Sequence, residues 1–306
     1  MSWRTIVVKE SQKIFVRQNQ FAFQKEEETI LIPFHDIDCV VLENNYTFIT
    51  PRLLVLLAEY NIFLLVCDER HDPSGIFLPF SNHWAPLEIL NLQIKMGVHF
   101  KKQIWTSLIK AKLQNSILVL EKLQFQEKEI IKIKRLHDTL LYNDVKNYEG
   151  AAAAIFFRCL YGSSFVRHTD TGINRALDYG YKILLSAISR SLAKYGLNNH
   201  LGVFHIGKQN AFNLACDLIE PFRPLVDYFV TKMGEEISEQ LEYNQRLELI
   251  KILQYRVDFD QQIRTVSNAV ELMVKSFLTS LKTENTQKLK LPRFLVLNNN
   301  YHPDVQ

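Results

Sequence analysis

The sequence predicts an α+β protein, with a small β-rich domain over residues 1–80 followed by a larger all-α domain over residues 81–306. Three observations predict it. Short runs of β-branched and aromatic residues, broken by polar segments, fill the first 80 or so positions. From Pro86 onward apolar residues recur at three- and four-residue spacing instead. The length, 306 residues, fits two domains of about 150 residues each.

The strands are read in order as "RTIVV", "KIFVRQ", "FAFQ", "TILIPF", "IDCVVLE" and "NIFLLVCD". One helix interrupts them at "RLLVLLAEY", where Thr50 serves as N-cap and Pro51 sits in the first turn, a good start signal. "CDERHDPSG" reads as a turn-rich exit, and a linker is expected near residues 78–88. The helical part opens with "APLEILNLQIKMGVHFKKQIWTSLIKAKLQNSILVLEKL". "YEGAAAAIFFRCLYG", "GINRALDYGYKILLSAISRSLAKYG", "NAFNLACDLIEPFRPLVDYFVTKM" and "VSNAVELMVKSFLTSLK" follow.

Composition bounds the function. Apolar residues are 47% of the chain, enough for a sizeable core, and charged residues are 23%. A net charge of +3 leaves a nucleic-acid partner open, because local patches outweigh the total. The cysteines Cys39, Cys67, Cys159 and Cys216 form no CxxC pair, which argues against a zinc cluster and for reduced thiols. The N-terminus has no apolar signal core, and no run of about 18 apolar residues occurs, so no membrane segment and a cytoplasmic location are expected.

One stretch carries chemistry-bearing residues: "HIGKQNAFNLACDLIEPFRP", from His205 to Pro224. Asp217 and Glu220 stand at i and i+3, on one face of a helix. Pro221 removes a backbone donor and disfavours helix at Glu220, so the helix kinks or stops there. In one straight helix His205 would lie about 22 Å from Glu220. A turn at Gly207 is needed to fold the histidine back beside the acids. Upstream, Glu149 precedes Gly150 and four alanines, small residues that let another element or a ligand come close. Taken singly, Glu149 also suits the positive end of a helix dipole, and the other acids suit a solvated helix surface.

The ordered set "YEGAAA", "LDYGYKILLSAISRSLAKYGLNNHLGVFH" and "FNLACDLIEPFRPLVDYFV" resembles the helical-domain motifs of the catalytic subunit of the CRISPR spacer-acquisition integrase, the Cas-one family. With "CDERHDPSG", it resembles the short form that accompanies Cas nine, and the resemblance covers nearly the whole chain. It implies that Glu149, His205 and Glu220 are catalytic and bind one divalent ion, with Asp217 a further acid close to that ion. Relatives often carry aspartate as the last ligand; the glutamate here leaves the roles of Glu220 and Asp217 to be divided. It also implies attack of a DNA 3′-hydroxyl on a phosphodiester of the repeat. Two carboxylates and an imidazole suit Mg²⁺ or Mn²⁺, the nitrogen favouring Mn²⁺.

The implied partners are double-stranded DNA (protospacer and CRISPR repeat), a second copy of the chain joined partly through the β-domain, a dimer of the small Cas-two subunit, and Csn-two and Cas nine. Phosphate contacts are expected from Arg167, Lys208 and Arg223, with Arg158, His168 and Arg175 nearby. Asn174 and Tyr179 read as structural, and Trp3, Trp84 and Trp105 as packing residues or anchors. Two other readings stay open at this level: a non-catalytic DNA-binding scaffold, and an unrelated metal-dependent phosphoesterase.

Overall fold

A computed structural model describes residues 4–295 apart from 11–12, 26–27, 79–83 and 235–236. Trp3 and residues 79–83 of the expected linker lie outside the described residues. The β-rich part begins with β1 (Arg4–Val8), β2 (Lys13–Arg17), β3 (Gln20–Lys25), β4 (Glu28–Ile32), β5 (Ile37–Leu42) and β6 (Phe48–Ile49). Helix α1 (Pro51–Glu59) precedes β7 (Phe63–Cys67) and β8 (Pro73–Phe77). Pro51 does open α1, and Thr50 stands at its N-cap, but the threonine hydroxyl makes no capping bond.

These strands form two four-stranded sheets, ordered β1-β5-β7-β8 and β4-β3-β2-β6. In the first, β1, β5 and β7 run parallel and β8 closes one edge antiparallel. The stretch expected to be a turn-rich exit therefore contributes that edge strand. Pro73 starts it, a place where a missing N–H does little harm. All six residues of β5 are buried, as expected for a parallel strand covered on both faces. Alternation sorts its side chains. Val40 and Leu42 join Phe21, Phe34 and Leu57 in a core between the sheets and α1, while Cys39 and Val41 face the helices.

The helical part contains α2 (Pro86–Ile94), α3 (Val98–Lys122), α4 (Glu127–Asp138), α5 (Tyr148–Tyr161), α6 (Gly172–Lys194), α7 (Asn213–Leu218), α8 (Arg223–Met233) and α9 (Tyr243–Ile250). It continues with β9 (Arg256–Phe259), β10 (Gln262–Thr265), α10 (Val266–Thr283) and β11 (Pro292–Arg293). The expectation of an all-α domain is thus corrected by a small three-stranded sheet, ordered β10-β9-β11. Its strands have two to four residues, too short for a period-2 pattern to show in sequence. The long apolar run after Pro86 breaks at Gly97 into α2 and α3. Helix α3 packs against α4, α5 and α8, and α6 against α8, α9 and α10. Gly180 permits the α6–α8 approach: a Cβ there would stand 2.5 Å from Val226 Cγ1.

Two buried ion pairs tie the β-rich part to the helices. Arg190 of α6 meets Asp38 at 2.5 Å, and Ser267 of α10 donates to the same carboxylate at 2.6 Å. Arg246 of α9 grips both oxygens of Glu43, at 2.7 and 2.8 Å. Asn174 and Tyr179 are structural, as expected. The Asn174 amide donates to the Val166 carbonyl and the Thr169 hydroxyl, organising the loop before α6. Tyr179 is buried, with its hydroxyl 3.4 Å from Glu43. Trp84 differs: it is 83% exposed and does not belong to the core. All four cysteines are free thiols, two of them buried. No helix among the described residues is long and apolar enough to cross a membrane.

Candidate active site

The site is built where α3, the start of α5 and the end of α7 meet. Two side chains fix the start of α5. Asn147, in the left-handed conformation (φ 52°), accepts from Gly150 N, and Asp144 accepts from Tyr148 N and Glu149 N at 2.7 and 2.9 Å. Glu149 thereby stands in the first helical turn, facing α3. Helix α7 ends at Leu218, and Pro221 turns the chain through a short 3₁₀ segment, Glu220–Phe222, into α8. Asn115 of α3 pins that segment by donating to the Pro221 carbonyl at 2.7 Å.

Lys112 of α3 joins the two glutamates. Its ammonium donates to Glu149 Oε1, and to Glu220 Oε2 at 2.6 Å. Arg223 Nε takes the other oxygen of Glu220 at 2.8 Å. Burial alone would raise the Glu220 pKa, but Arg223 and Lys112 outweigh it and hold the carboxyl down to about 2. Burial likewise disfavours the Lys112 ammonium, yet Glu220 and Glu149 overcome that and raise its pKa. Glu220 and Lys112 are therefore both charged at neutral pH.

His205 is folded back as the loop-plus-helix reading requires, but its partner is Asp217. That carboxylate is fully buried. Its Oδ2 accepts from Val203 N and Phe204 N at 2.5 and 3.1 Å; its Oδ1 accepts from His205 N at 3.0 Å and pairs with His205 Nδ1 at 2.7 Å. Gly202 makes the wrap possible, because a Cβ there would collide with the His205 carbonyl and crowd Asp217. Asn213 closes the loop from beneath, donating to the His200 and Gly207 carbonyls, both at 3.1 Å. The His205 pKa is raised, first by the Asp217 hydrogen bond, against partial burial. Trp105 walls the ring edge-on at 5.8 Å and stacks on Phe204 at 4.0 Å with their planes 3° apart. With Nδ1 engaged by Asp217, Nε2 is the nitrogen left for a further partner.

The residues singled out in the sequence thus fall into two pairs. Glu149 and Glu220 share one cation, and His205 and Asp217 share one proton. Asp217 and Glu220, expected on one face, point to different partners because the helix ends between them. Among the described residues no group of three or more His, Cys, Asp or Glu side chains is gathered tightly enough to hold a metal ion. The donor chemistry nevertheless fits a divalent cation: a positive group already stands between the two carboxylates, and a carboxylate orients the imidazole.

Beside the glutamates opens a pocket of about 260 Å³, on whose wall lie Lys112, Arg167, Tyr181, Arg223 and Asp227. The Arg167 and Arg223 guanidiniums stack on the Tyr181 ring, 5.5 and 4.7 Å from its centroid. Tyr181 donates to Asp227 at 2.5 Å. Burial pushes the Asp227 carboxyl up to about 7 despite that bond and the nearby cations. Arg167 is also held by Asp178 at 2.5 Å. Lys208 lies apart, exposed on the loop of residues 207–210.

No role as partners of the site's acids was expected of Lys112, Tyr181 or Asp227 from the sequence. A signal for Lys112 exists: with Asn115 and Ser116 it forms a polar stripe at three- and four-residue spacing on a helix otherwise deep in the core.

The profile of the family described as "CRISPR associated protein Cas1" matches residues 5–249. The CRISPR-associated endonuclease Cas1 of Neisseria meningitidis serogroup C (strain 8013) is 34% identical over 299 residues, covering 97% of this chain and 98% of its own. Among solved structures, a casposase bound to integration product superposes with a TM-score of 0.74 at 18% identity, covering 98% of this chain and 96% of the other. A Cas6-RT-Cas1–Cas2 complex gives a TM-score of 0.71 at 15% identity, covering 95% of this chain and 36% of the other. With a profile match over most of its length and a relative of this identity aligned end to end, the chain belongs to the CRISPR-associated Cas1 family.

Proposed function

We propose that this chain is a metal-dependent DNA endonuclease and integrase of CRISPR adaptation, which inserts foreign DNA spacers into the array by attack of a 3′-hydroxyl on a repeat phosphodiester. One observation carries the reading: in a chain of the Cas1 family, Glu149 and Glu220 converge on a single cation at the mouth of an arginine-lined pocket. Glu149, Glu220 and, through Nε2, His205 would hold Mg²⁺ or Mn²⁺. Such an ion, when bound, polarises a phosphoryl oxygen and stabilises the charge that develops on the attacking and leaving oxygens.

The chain's own groups do the rest. Asp217 holds the His205 ring in one orientation and fixes its Nδ1 proton, as carboxylates do for ligating histidines. Arg223 holds Glu220 ionised and aimed. Arg167 and Arg223, stiffened by the Tyr181 ring, offer an anionic backbone two forked donors that set its position without reading its sequence. Lys208 adds a phosphate contact from the loop beside His205.

The proposed partners are duplex DNA, a reading that the casposase bound to integration product supports, and the small Cas2 subunit, as in the Cas6-RT-Cas1–Cas2 complex. A homodimer in the cytoplasm, with Cas9 and Csn2 as associates, completes the reading. The test is strand transfer by the purified protein with Cas2 on a branched repeat substrate, with Mn²⁺ and with EDTA. Product that vanishes with EDTA and with Glu149→Ala supports the reading. DNA binding without product in Mn²⁺ would return the chain to a non-catalytic scaffold.

A further inference from the structure

Lys112 occupies a position that none of the preceding assignments explains. Its side chain is 14% exposed, and its ammonium contacts one oxygen on each of the two glutamates assigned to the ion. A lysine stem in the middle of a 25-residue helix is held where a compact charge is needed. Without it, Glu149 and Glu220 would face each other, and among the described residues the other cation paired with them, Arg223, reaches Glu220 alone. Yet both carboxylate oxygens that Lys112 takes are ones a divalent ion would need. Lysine suits a contact that must be released: it is a point charge on a flexible stem, without the fork that locks arginine to a carboxylate. The neighbouring pocket, which Lys112 itself lines, offers room into which the stem can turn.

We propose that Lys112 is the built-in counter-ion of the metal-free centre and is displaced from Glu149 and Glu220 when a divalent ion binds. The proposal rests on the assignment of those two glutamates as ligands. It gives Lys112 two states. In one it holds the carboxylates together and keeps the centre folded before the ion arrives. In the other its ammonium is freed beside Arg167, where an anionic backbone would sit.

The experiment is a calorimetric Mn²⁺ titration of the full-length protein without DNA, for the wild type, Lys112→Met and Lys112→Ala, with Arg167→Met as a control for the general field. Thermal melting with and without Mn²⁺ runs alongside. Removing the competitor should tighten Mn²⁺ binding about tenfold or more, the equivalent of about 1.4 kcal/mol. Both Lys112 variants should melt below wild type without metal and recover with it, and Arg167→Met should change the affinity less than about twofold. Lys112→Met keeps the stem packed if the alanine variant proves too unstable to titrate. Equal affinities in wild type and Lys112→Met, or an equal gain in Arg167→Met, would overturn the displacement and leave the metal assignment standing. No Mn²⁺ binding in any variant would overturn the metal assignment itself, and the displacement with it.

Discussion

Replacing Asp217 by asparagine tests the division of labour at the site. The carboxylate receives four contacts: Oδ2 accepts from Val203 N and Phe204 N, while Oδ1 accepts from His205 N and pairs with His205 Nδ1. Asparagine has nearly the same shape but only one acceptor oxygen. Its NH₂ must replace one of the two oxygens and would then meet two donors head-on. Hydrogen bonds to a charged group are worth about 1.5–3 kcal/mol each, so losing two costs about 3–6 kcal/mol. Urea unfolding followed by circular dichroism at neutral pH measures this. The pH dependence adds a second readout. His205 is raised above its ordinary 6.5, chiefly by Asp217, so that part of the stabilisation is present below 6.5 and fades as pH rises through the folded-state value. The gap between wild type and Asp217→Asn should therefore narrow as pH increases past neutrality. Strand transfer should fall as well, because the ring loses its orienting partner. A stability loss under about 1 kcal/mol, with no dependence on pH, would refute the view that Asp217 works by holding the His205 loop.

Glu149→Ala and His205→Ala should abolish strand transfer with little change in melting. Glu220→Ala should abolish it and also lower the melting temperature, because it strips a buried carboxylate from Lys112 and Arg223. Glu220, held at about 2 against an ordinary 4.5, should contribute about 3 kcal/mol of stability above pH 4.5 that is lost as pH falls towards 2; acid unfolding of Glu220→Gln should lack that slope. Arg246→Met leaves Glu43 buried and unpaired, and should cost about 3–5 kcal/mol in urea unfolding. DNA affinity should fall steeply with salt, and Arg167→Ala or Lys208→Ala should weaken all sequences alike, lowering the salt slope by about one per lost phosphate contact in gel-shift titrations.

Much of the fold was legible because its elements are long or sharply punctuated. Six strands of the β-rich part are apolar runs bounded by polar breaks, and Thr50-Pro51 marked the helix between them. What escaped was short or ambiguous. Strand β8 hid in a segment whose Pro73, Ser74 and Gly75 read as turn chemistry; it pairs because an edge position tolerates them. The sheet of β9, β10 and β11 hid because strands of two to four residues carry almost no periodicity, and β11 joins β9 from more than thirty residues away.

The site divides the same way, between local and long-range information. The turn at Pro221 was readable within the 205–224 stretch, and so was the need for His205 to fold back, but Gly202, which makes that wrap possible, lies outside it. The partners of those residues were not. Asp217 and Glu220 sit three positions apart, and helical spacing alone puts them on one face. Only the end of α7 at Leu218 sends one to the imidazole and the other to Lys112, 108 residues upstream. Acids flag themselves in an apolar helix; a lysine in "IKAKL" does not, because long cationic side chains usually reach solvent from such positions. What distinguishes Lys112 is its polar neighbourhood on the inward face, with Asn115 three residues on holding the turn that carries Glu220. The same helix thus places Lys112 and anchors the turn that carries Glu220, so a change in the seat of α3 would move both together. That coupling is a reason for the centre to be assembled on α3, while Lys208, for which a phosphate contact is proposed, is left to an exposed loop.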